Sequence, residues 1–167
     1  RPYEVRKGYV GSGLKSVIDN AKRDGVRINN SAEGSQSAGS IQRVAKDIRV
    51  SQKFQDGLDK NRNQVFIDIP VKYDVLVNTK LSGEAKYATI VHEFAHLYCG
   101  HLGTPDKRWW PDRRGLNNDV REFEAESVTF LVCFRLDIDN PSEQYLSGFV
   151  GSQEQVPSIS FECVMKV

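Results

Sequence analysis

Residues 88–101 read ATIVHEFAHLYCGH, and this stretch decides how the rest of the sequence is interpreted. It places His92 and His96 four positions apart, with Glu93 directly after the first histidine. Residues at i and i+4 lie on one face of an α-helix, about one turn apart. Both imidazoles can therefore reach a single zinc ion, with the glutamate next to the water that such a zinc activates. The pattern predicts a zinc site carried by a helix.

The residues around this pattern predict that the helix is buried. Ser82 is a favourable N-cap, Glu84 suits the positive end of the helix dipole, and Gly100 suits the left-handed conformation that ends a helix. At about 100° per residue, apolar side chains cover most of the circumference, and His92 and His96 share the narrow polar strip that remains. A shared metal ion explains two such histidines better than two separate polar partners do.

A second helix, predicted over residues 118–135, offers three glutamates for the third ligand position of a catalytic zinc. On a helical wheel, Glu124 falls within the arc of large apolar residues, Glu126 on its flank and Glu122 opposite. A carboxylate on the buried side is costly unless it is paired or bound to metal. We therefore predict Glu124 as the third ligand. Glu126 is the alternative, or else the acceptor that orients a ligand histidine.

The end of the first helix carries further candidates. The long zinc-protease motif needs Gly and His three and six residues after the second histidine, where this sequence has Cys99 and Leu102. His101 is therefore predicted at the helix end, with an assisting role as the alternative. Cys99 is either a small buried residue or a thiol that holds the zinc inactive. The candidates for stabilising an oxyanion are Tyr73, Tyr98, His101 and Arg113.

The remaining patterns predict an α+β protein. Residues 14–23 have the spacing of an amphipathic helix, residues 29–40 form a small, polar, flexible loop, and residues 65–69 and 71–77 are rich in branched and aromatic side chains, as β-strands are. Residues 41–54 fit a helix or a strand. We expect the strand at 71–77 to bind an extended substrate as an added strand.

Composition excludes several classes of protein. The chain has 167 residues, 39% of them hydrophobic and 27% charged, which favours one globular domain with a core of its own. A net charge of +1 gives no general basicity for nucleic-acid binding, and no apolar run is long enough for a membrane span. Three cysteines are too few for a disulfide framework, which favours a reducing, cytoplasmic setting. Because the sequence starts at Arg1 without a signal-peptide core, we expect a processed product or a piece of a longer protein.

Three segments resemble the ImmA/IrrE metallopeptidases: residues 75–82, 89–101 and 122–128. The resemblance covers roughly residues 65–150 as a peptidase core and leaves residues 1–40 as an N-terminal extension within the single domain. It implies a compact zincin-like fold, with a small, mostly antiparallel sheet packed on two zinc-bearing helices. It also implies an endopeptidase with one zinc ion that cuts a helix-turn-helix repressor in a phage, plasmid or defence regulatory system. In this resemblance, the ligands are His92, His96 and Glu124, and the catalytic glutamate is Glu93.

Two other functions remain open from sequence. The loop before the second helix carries Trp109 and Trp110 among basic residues that include Arg113 and Arg114. Aromatic and basic side chains together can stack on and clamp a single strand of nucleic acid. The chain is then a binding or sensor module with a zinc site, or a peptidase for which single-stranded DNA is the activator. The last alternative is the protease domain of a larger effector toxin.

Overall fold

The computed structural model describes residues 5, 7–32, 38–45, 47–151 and 156–167. Within these residues the protein is α+β, as predicted. The elements follow in the order α1 (Gly13–Arg23), β1 (Val26–Ser31), β2 (Gly39–Arg43), β3 (Ser51–Leu58), β4 (Gln64–Pro70), β5 (Tyr73–Asn78), α2 (Gly83–Tyr98), α3 (Asn118–Phe134), α4 (Ser142–Gly151) and α5 (Phe161–Lys166). The predicted strands near Pro70 and the two predicted helices that carry the candidate ligands are confirmed.

The main sheet has three strands, with β5 in the centre. β1 pairs with β5 in parallel, from Val26 opposite Tyr73, and β2 pairs with β5 in antiparallel, from Gly39 opposite Val77. This sheet is therefore mixed, whereas a mostly antiparallel sheet was predicted. Antiparallel β3 and β4 form a separate two-stranded sheet. Both edges of β5 are occupied, so the expectation that residues 71–77 bind a peptide as an added strand is wrong.

α2 lies between the sheet and α3, which explains why it is apolar on most sides. Ile90, Phe94 and Leu97 pack in the cluster that contains the β5 side chains. Other α2 residues, including Ala88 and Ala95, pack with residues of α3. The Ser82 side chain accepts a hydrogen bond from the backbone N–H of Ala85, and Gly100 follows the helix with φ of 82°, as the sequence predicted.

The N-terminal residues contribute to this core. α1 begins at Gly13, close to the predicted start, and Ala21 of α1 is buried with the sheet residues. The segment predicted as a flexible loop at 29–40 is strand at both ends, because β1 continues to Ser31 and β2 starts at Gly39. Residues 33–37 of that segment lie outside the described residues. Among the described residues, no helix is long and apolar enough to cross a membrane.

Candidate metal centre

Three side chains from two helices converge at the crossing of α2 and α3. The Nε2 atoms of His92 and His96 lie 3.2 Å apart. Glu122 of α3 places Oε2 3.5 Å from Nε2 of His92 and Oε1 3.5 Å from Nε2 of His96. The predicted pairing of the two histidines on one helical face is therefore present, and the carboxylate that joins them is that of Glu122.

The spacing of these atoms fits a tetrahedral metal ion. Zinc bound at about 2.0–2.1 Å by nitrogen and oxygen holds its ligand atoms roughly 3.3–3.4 Å apart. The Nε2 atoms lie 3.2 Å apart, and a different oxygen of Glu122 lies 3.5 Å from each of them, so the three groups are close to that spacing. Two imidazoles and one carboxylate are also a donor set that zinc accepts in catalytic sites. His92, His96 and Glu122 could thus hold one metal ion.

The electrostatics of the group favour a cation. Burial alone would lower the pKa of His92, but the carboxylates of Glu122, Glu126 and Glu93 outweigh it and raise that pKa. The hydrogen bond with His92 is the largest of the effects that hold the pKa of Glu122 far below its usual range. Three carboxylates around two imidazoles leave an excess of negative charge that a divalent cation would balance.

Glu93 lies beside this group on the side of the sheet. Burial raises the pKa of its carboxyl group, although the nearby His92 and His96 act in the opposite direction. The backbone N–H of Ile41 donates a hydrogen bond to it, which fixes the carboxyl group against β2. A Cβ atom on Gly39 would lie 2.6 Å from Cγ2 of Thr89, so only glycine allows β2 to approach α2 this closely. Sequence reasoning missed β2, because residues 39–43 carry little alternation of polarity.

Glu126 contacts His92 on the face opposite the candidate metal position. Its Oε1 lies 3.4 Å from Nδ1 of His92, and the Ser142 hydroxyl donates to its other oxygen. Glu126 is thus close to the position predicted for an acceptor that orients a ligand histidine, at a distance longer than that of a usual hydrogen bond. Glu122 and Glu126 are four residues apart on α3, as His92 and His96 are on α2. That matching spacing was a signal in the sequence for Glu122, and the helical wheel did not use it.

Glu124, predicted as the third ligand, lies away from His92 and His96. It is fully buried, as the wheel predicted, but Arg113 supplies its counter-charge through Nη1 and Nη2, each 2.7 Å from a carboxylate oxygen. The backbone N–H of Ser160 and Nε2 of His101 also bond to it, at 2.7 and 2.9 Å. The structure therefore does not bring Glu124 together with the two histidines, because Arg113 from the preceding loop pairs with the buried carboxylate.

His101 and Cys99 group with Glu124. Burial lowers the pKa of His101 to about 4, and burial raises the pKa of the Cys99 thiol to about 12. Tyr98 is directed elsewhere, since its hydroxyl donates to Asp24 at 2.7 Å. Of the predicted oxyanion donors, Tyr98, His101 and Arg113 are thus engaged within the fold, and the side chain of Tyr73 is almost completely buried.

A surface cleft of about 380 Å³ exposes the metal candidates on one side, between β2 and α3. Arg121, which sequence reasoning did not single out, lines the cleft together with Glu93 and Glu122. Among the described residues, the buried Nε of Arg121 has no hydrogen-bond partner. A cation in this position can donate to a carbonyl group that enters the cleft.

The predicted nucleic-acid contacts are only partly accessible. Trp110 is buried and donates from Nε1 to the carbonyl of Gly103 at 3.0 Å, and Arg113 is bound to Glu124. Trp109 is about half exposed, with Nζ of Lys72 4.5 Å from its ring centre. Arg114 is exposed and paired with Asp112. The structure therefore leaves Trp109 and Arg114 for a ligand, and commits Trp110 and Arg113 to the fold.

Comparison with known proteins gave no match: no family model, no curated protein and no solved structure matches this chain. The function is therefore inferred from the geometry of the site.

Proposed function

We propose that this protein is a zinc-dependent endopeptidase with a zincin-like core, in which His92, His96 and Glu122 hold the metal. The observation that carries the proposal is the separation of 3.2–3.5 Å between the Nε2 atoms of the two histidines and the oxygens of Glu122. Glu93, buried beside them, supplies the acid–base group. The resemblance of three segments to the ImmA/IrrE metallopeptidases implies the same activity, with Glu124 instead of Glu122 as the third ligand, and stays a prediction.

Bound zinc would supply Lewis acidity, which lowers the pKa of water toward about 7 and polarises the scissile carbonyl. Glu93 takes a proton from the attacking water while the oxygen of that water bonds to the carbonyl carbon. When the C–N bond breaks, Glu93 returns that proton to the leaving amine. Burial, which raises the pKa of Glu93, makes its carboxylate a stronger base in the first step. The Ile41 N–H holds the same carboxyl group in place between the two transfers.

β2 is the strand best placed to bind the substrate. It is the last strand in the order β1-β5-β2, and Gly39, Ser40 and Ile41 line the cleft that contains Glu93. An extended peptide can add to an exposed sheet edge through backbone hydrogen bonds. Such a peptide would run past Glu93, with its carbonyl groups available to Arg121. We assign to Arg121 the binding of the scissile or a neighbouring carbonyl group.

The cut protein is proposed to be a helix-turn-helix transcriptional repressor, which is what the resemblance implies. An edge-strand site needs an extended segment, so the cut would fall in a linker or a locally unfolded part of that repressor. The nucleic-acid-binding and effector-toxin alternatives stay predictions.

The test is cleavage by the purified protein loaded with one equivalent of Zn²⁺. A random-sequence peptide library and purified helix-turn-helix repressors are the substrates, and mass spectrometry detects new chain termini. We expect cleavage that a chelator abolishes and that added Zn²⁺ restores. Glu93→Gln should bind zinc as the wild-type protein does and cut nothing. Equal cleavage by Glu93→Gln would exclude the mechanism, and the absence of any zinc binding would exclude the metal site.

A further inference from the structure

A chain of hydrogen bonds leads from the candidate metal site into the protein interior. Nδ1 of His96 lies 2.9 Å from Nδ1 of His101, and Nε2 of His101 lies 2.9 Å from Oε2 of Glu124. Arg113 then holds both oxygens of Glu124. His101 and Glu124 are fully or almost fully buried, so few alternative partners are available to them.

The Glu124–Arg113 ion pair at the inner end of this chain determines which atom is the donor in each hydrogen bond. Glu124, paired with a guanidinium group, is ionised and can only accept hydrogen bonds. Nε2 of His101 must therefore carry the proton that it shares with Glu124. His101 is almost completely buried, and the carboxylate that it contacts is already paired with Arg113, so burial favours the neutral imidazole, whose Nδ1 has a lone pair. Nδ1 of His96 is then the donor to His101 at 2.9 Å, and its Nε2 keeps a lone pair, so that the donor to Glu122 is Nε2 of His92.

We propose that His101 and Glu124 are positioning residues that hold His96 as the Nδ1–H tautomer, with the Nε2 lone pair directed at His92 and Glu122. This inference rests on the proposed metal site, because it explains how one of its ligands is prepared for zinc. A neutral imidazole binds a metal only through the ring nitrogen that lacks a proton. Partners that fix the tautomer and ring orientation of a ligand histidine typically contribute about 10–100-fold to metal affinity.

A second metal site at Cys99, His101 and Glu124 is the competing interpretation, since these three ligand atoms also lie within 4.8 Å of one another. Arg113 argues against it. Its guanidinium nitrogens lie 2.7 Å from both Glu124 oxygens, where they would repel a metal cation and compete for the same lone pairs. The Glu124 carboxylate has hydrogen-bond partners without a metal, because the backbone N–H of Ser160 and Nε2 of His101 also donate to it.

The test compares two substitutions of His101. In His101→Gln, the amide oxygen can accept from His96 while the amide nitrogen donates to Glu124. In His101→Leu, neither bond can form. Tyr98→Phe is the matched control, because it removes a different hydrogen bond of α2, the one to Asp24. Two properties are measured: the ¹⁵N chemical shifts of the His96 ring in metal-free protein, and the zinc dissociation constant by competition with a chelator.

We expect the metal-free wild-type protein to show His96 with its proton on Nδ1. His101→Leu should lose that preference and bind zinc about 10–100-fold more weakly. His101→Gln should keep both properties near wild type, as should Tyr98→Phe. The proposal is overturned if His96 carries its proton on Nε2 in the wild-type protein, or if His101→Gln and His101→Leu weaken zinc binding equally. Two zinc ions per chain, with one lost in both variants, would establish the second metal site instead.

The tautomer is read without metal, so this result does not depend on peptidase activity. If the wild-type protein shows the expected tautomer but cuts no peptide, the endopeptidase proposal fails and the positioning role stands.

Discussion

Glu122 and Glu124 lie two residues apart on α3 and serve different sides of the helix. The carboxylate of Glu122 lies 3.5 Å from Nε2 of His92 and of His96, whereas that of Glu124 lies 2.7 Å from two nitrogens of Arg113. Side chains two positions apart on an α-helix point about 200° away from each other, so Glu122 and Glu124 cannot reach the same metal ion. Glu122 is therefore the glutamate of the proposed metal site, and Glu124 forms a buried ion pair with Arg113.

The first prediction concerns these two glutamates. Glu122→Gln should weaken zinc binding by more than about 100-fold, because losing a residue that only hydrogen-bonds to a metal ligand already costs about 10–100-fold. Its side chain is one-third exposed, so the metal-free protein should keep its stability. Glu124→Gln should lower the free energy of unfolding by about 3 kcal/mol, because it leaves Arg113 without its counter-charge. Chelator competition measures the zinc affinities, and urea denaturation in the presence of chelator measures the stabilities. If Glu124→Gln weakened zinc binding more than Glu122→Gln, Glu124 would be the ligand instead.

Sequence reasoning reached the helices and the histidines because their signals are local. Ser82 and Gly100 mark the ends of α2, and the spacing of His92 and His96 places them on one face. The wheel also identified Glu124 as buried, which is correct. Its partner could not be predicted, because Arg113 lies in a loop whose path depends on the packing of the whole domain. Sequence patterns report that a charge is buried, but tertiary structure decides what neutralises it.

The sheet was harder to predict than the helices for a similar reason. β1 and β2 are polar for strands, and β2 reads only Gly-Ser-Ile-Gln-Arg. Their strand conformation comes from pairing with β5, which is distant in sequence. β-propensity depends strongly on such context, so residues 29–40 looked like a loop. The consequence for function was large, since the edge strand beside Glu93 went unrecognised.

The second prediction concerns Gly39. A Cβ atom at this position would lie 2.6 Å from Cγ2 of Thr89 and 2.8 Å from the carbonyl oxygen of Leu76. Gly39→Ala should push β2 away from α2 and displace the Ile41 N–H from Glu93. Because a displacement of about 1 Å near the reacting groups can cost about 100-fold, we expect kcat/KM to fall by about 10–100-fold at unchanged zinc affinity.

The matched control for Gly39 is Gly115→Ala, because a Cβ atom there meets no other atom within 4 Å. It should cut peptides at the wild-type rate. Thr89→Ser removes the nearer clashing atom and keeps the hydroxyl, so adding it to Gly39→Ala should restore part of the activity. Wild-type kcat/KM in Gly39→Ala would show that the spacing of β2 and α2 does not matter.

The third prediction concerns the stability of the sheet and its dependence on pH. The side chain of Tyr73 is 1% exposed, and among the described residues its hydroxyl has no hydrogen-bond partner. An unsatisfied buried hydroxyl costs about 1–3 kcal/mol, so Tyr73→Phe should raise the free energy of unfolding by about 1 kcal/mol at pH 7.

Burial also raises the pKa of Tyr73 above its usual value of 10.0. Above that pH the unfolded chain releases the tyrosine proton while the folded protein keeps it, so the wild-type protein loses stability as pH rises. Tyr73→Phe lacks this group, and its advantage should therefore grow above about pH 10. Urea denaturation at pH 7, 9 and 10.5, with chelator present, measures both effects. A destabilised Tyr73→Phe would mean that the hydroxyl has a stabilising partner.

The fourth prediction concerns Arg121 and follows from its position in the cleft with Glu93 and Glu122. If its guanidinium group donates to the substrate carbonyl as negative charge develops there, its removal should affect the transition state more than zinc or substrate binding. Removing one such donor costs about 100–1,000-fold in kcat in other hydrolases, and we expect Arg121→Gln to lose activity on that scale with unchanged zinc affinity.

Arg121→Lys keeps the charge without the planar fork of donors, so it should retain part of kcat. Arg114→Gln is the control for loss of a positive charge nearby, since Arg114 is exposed and paired with Asp112, and it should leave kcat unchanged. A rise in KM with normal kcat in Arg121→Gln would assign Arg121 to substrate binding in the ground state. Full activity in Arg121→Gln would remove it from the mechanism and return the search for the oxyanion donor to the backbone of β2.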